Sequence, residues 1–117
     1  MENTQFGFQR LQVYQVARQA LALSIKHRQS WMGLPGEIGP QLERAMVSVV
    51  NNITEGVGRV TVSDQRRHFQ IARGSAMEVA GCLDIASLYG RVPQDLANEL
   101  NSLLLRVVQM LTRMIRG

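Results

Sequence analysis

Between Arg44 and Glu78 two helical periods meet across a short, Gly-rich, basic turn. The first block reads R-A-M-V-S-V-V-N-N-I-T-E-G-V-G-R, the second S-D-Q-R-R-H-F-Q-I-A-R-G-S-A-M-E. Apolar residues recur at three- and four-residue steps on both sides of the turn, the signature of two amphipathic helices joined tightly. Four such segments run along the chain. The first is expected from about Phe8 to Gln29, with Leu11, Tyr14, Ala17/Arg18, Leu21 and Ile25 on one stripe. Val13, Val16, Ala20 and Leu23 form a second. After a break at Trp31–Gly36, the second helix opens near Glu37, tolerates Pro40 in its first turn and stops at Gly56. The third is capped by Thr61 or Ser63, with Asp64 in its first turn, and closes at Gly90. The fourth starts at Pro93 and carries Leu96, Leu100, Leu103/Leu104, Val107/Val108, Leu111 and Met114/Ile115.

Short connections between helices favour antiparallel neighbours. The pattern predicts one all-α domain over residues 1–117, an antiparallel up-down-up-down four-helix bundle. At 117 residues, 45% hydrophobic and only 5% aromatic, the chain is long enough to bury a core of aliphatic side chains. Helices one and four carry apolar residues beyond one stripe, and a homo-oligomer would cover that surplus. Gly74, Ser75 and Gly81 are costly inside a helix and suggest close approach of a neighbouring helix or subunit. No apolar run is long enough to span a bilayer, and the N-terminus lacks the pattern of a secretory signal. One cysteine, Cys82, suits a reducing compartment. A soluble, cytoplasmic protein without a membrane partner is expected.

Two sets of polar residues stand out. Arg44, Ser48, Asn51/Asn52 and Glu55 share a face of helix two, and Ser75 and Glu78 share one of helix three. If those faces meet, Arg44 and Arg73 could pair with Glu55 and Glu78, with Ser48, Asn52 and Ser75 completing a structural network. A ligand pocket is the sharper alternative.

The second set is basic. Net charge is +4, the pI is near 10.2, and Lys26 is the sole lysine among 13 basic residues. Arginine forks match phosphate geometry. Arg59, Arg66, Arg67 and Arg73 surround the central turn, and Arg106, Arg113 and Arg116 lie near the C-terminus with no acid after Glu99. Together they are candidate contacts to structured RNA or DNA, recognised by backbone and shape. The competing readings are a solvated helix face and favourable charge at the end of helix four.

Catalytic chemistry finds no support. Neither His27 nor His68 has a Glu three residues before it, as a di-iron bundle requires. Asp64 and His68 stand at i, i+4, but helix capping is the simpler role for Asp64. Cys82 lies among Ala80, Gly81, Leu83 and Ile85, a core setting. Gly56-Val57-Gly58 lacks the Lys and Ser/Thr of a phosphate-binding loop. No enzyme activity, metal or cofactor is expected.

The F-x-x-L-x-V-Y-Q-x-A pattern of Phe8–Ala17 resembles the opening of the bacterial 23S rRNA intervening-sequence proteins. So do Q-L-x-R-A-x-x-S-V-x-x-N-I-x-E-G-x-G-R from Gln41 to Arg59 and R-x-F-x-I-A-x-G-S-A-x-E from Arg67 to Glu78. Accessory variability determinants of diversity-generating retroelements look like relatives of the same fold. The resemblance implies a four-helix bundle that assembles into a ring, commonly a pentamer, with no enzymatic activity. It makes Arg44, Ser48, Asn52, Glu55, Gly56, Gly58, Arg59, Arg67, Ser75 and Glu78 the motif positions. Thr54 and Val60 depart from the usual small or polar residues. The retroelement relatives imply a basic surface that meets a reverse transcriptase and nucleic acid, so two functions are open. One is nucleic-acid binding through the arginines. The other is a scaffold that docks a polymerase-type or other protein partner without touching nucleic acid.

Overall fold

A computed structural model of the chain describes residues 4–117. Residues 1–3 of the expected domain lie outside that range. Among the described residues all regular structure is helical: α1 (Gln12–Lys26), α2 (Ile38–Gly58), α3 (Val62–Leu88) and α4 (Gln94–Arg116). Short 3-10 turns at Gly7–Arg10, Arg28–Ser30 and Pro35–Glu37 lead into and out of α1 and into α2. At 1.5 Å per residue the 27 residues of α3 reach roughly 40 Å, close to the longest dimension of the molecule, 43 Å. This helix therefore runs the full length of the fold.

Local chemistry accounts for the boundaries. Thr61 caps α3, its hydroxyl accepting the Asp64 N–H at 3.2 Å. Tyr89 ends that helix, and Gly90 follows at φ +77°, a left-handed turn a side chain would resist. Pro93 precedes α4, where its missing N–H costs nothing. Two helices depart from their expected bounds. The first helix is shorter at both ends, because the chain tightens into 3-10 turns on either side of Gln12–Lys26. The second runs through Gly56 to Gly58.

α2 packs on α3, α3 on α4, and α1 on both α2 and α4, closing a cycle around one core. Leu42, Met46, Val49 and Ile53 from α2 meet Phe69, Ala76, Val79 and Leu83 from α3, with Leu100, Val107 and Leu111 from α4. In α1 the buried stripe is Val13, Val16, Ala17 and Ala20; Leu11 and Ile25 of the other stripe are exposed. The chain break around Trp31 is itself a core element, since Trp31 and Leu34 are buried. Arg91 ties that break to the α3–α4 loop by donating to the carbonyls of Gln29 (2.6 Å) and Met32 (3.1 Å). Arg28 and Glu43 form a two-pronged ion pair at 2.7 and 3.2 Å between the turn after α1 and helix α2.

Glycine marks the closest helix approach. A Cβ on Gly56 would fall 2.5 Å from Phe69 Cε1 and 3.2 Å from the Gln65 carbonyl. At Gly74 and Gly81 a Cβ would meet nothing within 4 Å. The close approach expected there is thus absent within the chain, because both positions face outward. Gly56→Ala is expected to destabilise by about 1–3 kcal/mol through overpacking. Gly74→Ala should stabilise by roughly 0.5–1 kcal/mol through helix propensity. Urea denaturation of the two variants checks both signs.

Candidate nucleic-acid interface

Contacts along α2 and α3 pair ascending positions with descending ones: Ser48 with Ser75, Asn52 with His68, Gly56 with Phe69 and Gln65. The same holds for α3 and α4, where Arg73 meets Thr112 and Gln70 lines a cleft with Arg116. A Cβ on Gly117, the residue after α4, would lie 2.7 Å from Arg66 Nη2. Leu11, Gln12 and Val13 at the start of α1 line a cleft with Met110, Arg113 and Met114. These contacts gather Arg59, Arg66, Arg67, Arg73, Arg113 and Arg116 at one end of the fold. Arg106 stands apart, about two helical turns before Arg113, on an exposed position of α4.

Among the described residues the acids at this end are Glu55 and Asp64. Glu55 lies 3.7 Å from Arg59, and both are about half exposed, so the pair contributes little. Among the described residues Arg66, Arg67, Arg73, Arg113 and Arg116 have no carboxylate within ion-pair distance. Glu37, Glu43, Asp84, Asp95 and Glu99 lie toward the opposite end. The fold thus separates charge along its length, and the modest net charge understates the potential at the arginine end.

Behind this surface runs a polar seam between α2 and α3. His68 is only 4% exposed. Its Nε2 accepts from Arg59 Nε at 3.1 Å and lies 3.4 Å from Arg67 Nη2. That leaves the proton on Nδ1, which donates to Asn52 Oδ1 at 3.0 Å. Asn52 Nδ2 in turn donates to the Ser48 carbonyl (2.9 Å) and hydroxyl (3.1 Å). The Ser48 and Ser75 hydroxyls share a 2.8 Å hydrogen bond across the helices. Glu55 stands at the rim, 3.5 Å from His68 Nδ1. Arg44 and Glu78 lie outside the seam. Both are exposed and neither forms an ion pair among the described residues, since long charged side chains at a bundle rim are better solvated by water. Arg73 binds no glutamate either; its Nε donates to Thr112 Oγ1 at 2.9 Å.

The sequence offers His68 for metal chemistry alone, as a di-iron ligand without its Glu or as half of a zinc pair with Asp64. His68 is the centre of the seam, with both ring nitrogens engaged by protein partners. A signal was present: His68, Ala72, Ser75 and Val79 fall on one stripe of α3, so the histidine shares the inward face with Ser75. Thr112 was also missed; it carried no motif.

No group of three or more His, Cys, Asp or Glu side chains among the described residues is arranged to hold a metal. Cys82 is 6% exposed. Burial pushes its thiol above the ordinary value, and the Glu78 carboxylate adds to the rise, so it is a poor nucleophile at neutral pH. No helix of the described residues is long and apolar enough to cross a membrane.

Residues 9–113 match the model of the 23S rRNA-intervening sequence protein family. The chain belongs to that family. No curated protein matches it. In the crystal at 1.70 Å resolution, a protein of unknown function from the S23 ribosomal protein family of Bacteroides thetaiotaomicron has a similar fold. The TM-score is 0.81 and the match covers 90% of this chain and 99% of that one, at 16% identity. At that identity the likeness concerns the fold alone. The four helices that hold the seam and the arginine end are therefore the intervening-sequence protein fold.

Removing Asn52 takes away the 3.0 Å acceptor of the His68 Nδ1–H and leaves Glu55 Oε2 at 3.5 Å as the nearest carboxylate oxygen. Asn52→Ala is expected to destabilise by about 1–3 kcal/mol, whereas Glu78→Ala should stay within about 0.5 kcal/mol of wild type. Thermal and urea unfolding of the two variants distinguish a buried seam from a solvated rim.

Proposed function

We propose that this intervening-sequence protein is a non-catalytic, cytoplasmic, ring-forming bundle that binds structured RNA or DNA at its arginine end. The observation that carries this reading is the convergence of Arg59, Arg66, Arg67, Arg73, Arg113 and Arg116 from the α2–α3 turn, α3 and α4, with Glu55 as the one nearby ion-pair partner among the described residues. Phosphate backbones attract such a surface, and among the described residues α2, α3 and α4 place no exposed aromatic platform for single-stranded bases beside these arginines. Phe69 is buried beneath Gly56. The protein would follow a duplex by shape and charge.

The helices are read as alternating up and down, as the descending pairings suggest. Two apolar faces then lie on opposite sides. Ile25 and Val47 flank the α1/α2 cleft, and Met77 and Leu105 flank the α3/α4 cleft. Dissimilar faces on opposite sides suit head-to-tail assembly, which closes into a ring when the rotation allows. The family resemblance favours a pentamer.

A second reading rests on α3, where Ile71, Met77, Ile85 and Leu88 are all exposed. The surplus apolar surface, expected on helices one and four, thus falls mainly on α3, because Tyr14, Leu21 and Leu23 of α1 and Val108, Met110, Met114 and Ile115 of α4 pack partly against the core. On this reading the exposed stripe docks a protein partner, and the arginines serve only solubility.

Light scattering with a labelled duplex RNA at two salt concentrations decides between them. Nucleic-acid binding through at least three phosphate contacts should weaken roughly fortyfold between about 50 and 200 mM salt. Arg66→Gln/Arg67→Gln/Arg113→Gln should abolish most of it without changing helicity or oligomer mass. Binding that survives the triple substitution would sink the phosphate-surface reading. Separately, Met77→Glu/Leu105→Glu is expected to reduce the assembly to monomers; an unchanged mass would show that the α3/α4 face is not the contact.

A further inference from the structure

Arg73 is unlike the other arginines of the cationic end. It is half-buried, whereas Arg66, Arg67, Arg113 and Arg116 are exposed. Its guanidinium is held at one point by the Nε–H to Thr112 Oγ1 bond, 2.9 Å long. The Thr112 hydroxyl gives its own proton to the Val108 carbonyl at 2.7 Å, so toward Arg73 it can only accept. The lock therefore has one polarity: Nε is spent on Thr112, while both terminal NH2 groups have no protein partner among the described residues. Arg73 and Thr112 line an open cleft of about 300 Å³ between α3 and α4 with Gln70, Ile115 and Arg116. A second guanidinium and a neutral amide thus border the same space, and no carboxylate lines it.

We infer that this cleft is a seat for a phosphate-type oxyanion, with Arg73 as the ligand fork, Arg116 and Gln70 as flanking donors, and Thr112 as the positioning residue. Fixing Nε removes much of the rotamer freedom a surface arginine loses on binding. The two free NH2 groups can then meet two oxygens of one tetrahedral anion by charge-assisted hydrogen bonds. In the setting of the proposed function, on which this inference rests, the oxyanion is a backbone phosphate of a duplex. The other arginines supply long-range attraction, and the Arg73 cleft fixes register.

The test uses a fluorescent RNA duplex of about 20 base pairs and the intact protein, with Thr112→Val, Thr112→Ser, Arg73→Gln and Arg113→Gln variants. Thr112→Val keeps shape and net charge but removes the hydroxyl. It should weaken RNA binding about threefold to tenfold, and Thr112→Ser should restore it. Arg73→Gln should weaken binding about tenfold or more and lower the salt slope by about one. Arg113→Gln, an equal charge loss outside the cleft, should cost about threefold or less. If Thr112→Val binds like wild type and Arg73→Gln is no weaker than Arg113→Gln, the seat is wrong while the cationic-end reading stands. If wild type ignores the duplex, the nucleic-acid reading fails, and inorganic phosphate followed at the Arg73 Nε–H NMR resonance decides the seat. A saturable shift that Thr112→Val abolishes would retain it as a site for a small phosphate; no saturable shift would overturn it.

Discussion

The approach of α2 to α3 at Gly56 sets the geometry on which the rest depends. Only three residues, 59–61, separate the two helices, so the last turn of α2 and the first turns of α3 must lie almost in contact. Gly56 makes that possible by leaving room for the Phe69 ring and the Gln65 carbonyl. Once the helices are that close, side chains further along the seam must be small or mutually bonded. Ser48 and Ser75 satisfy this by sharing a hydrogen bond. Asn52 and His68 satisfy it nearer the turn by joining their polar atoms inside the contact. A buried polar group without a partner costs more than a hydrogen bond returns. The seam is therefore intolerant of sliding: shifting α3 by one residue would separate every pair at once. In this way a short turn and a chain of four polar residues specify the register of the longest helix, and α3 then positions α4.

Much of this architecture was legible in the chain. The four apolar periods, the Thr61 cap, the stop at Gly90 and the start at Pro93 are local signals, and local chemistry determines them. What periodicity leaves open is which of two stripes faces inward. In α1 both Leu11–Ile25 and Val13–Leu23 fit a helix, and the core takes Val13, Val16 and Ala20 of the second with Ala17 of the first, while Leu11 and Ile25 stay exposed. The Trp31 break reads as a linker from its Gly and Pro content, yet it supplies a fully buried indole. Its Nε1 has no hydrogen-bond partner among the described residues.

The polar residues divide differently. Ser48, Asn52 and Ser75 could be placed on facing stripes from spacing alone. Arg44 and Glu78 share those stripes but reach solvent, because a helical stripe fixes the direction of Cβ and not the end of a long side chain. His68 shows the converse. Charge-counting treats a lone histidine as weak evidence, while its position one residue before Phe69 and seven before Ser75 places it at the seam. Pairings across 39 residues, such as Arg73 with Thr112, depend on tertiary register and leave no trace in either helix.

The seam also links the fold to the charged end. Arg59 and Arg67 both approach His68 Nε2, so two of the outward arginines are anchored to the element that sets helix register. Arg73 is anchored on the other side, to α4. The cationic end is thus a surface whose charges are partly fixed by the core and not a fringe of free side chains. Ile25, Val47, Met77 and Leu105 lie elsewhere, along the flanks, while Val60 and Val62 are exposed at the arginine end itself. Assembly through the flanks and phosphate binding at the end would therefore draw on separate residues. A ring built on the flanks would bring several copies of the arginine end onto one rim. Attraction to a polyanion would then add up over subunits, and a monomer charge of +4 would greatly understate what a duplex meets.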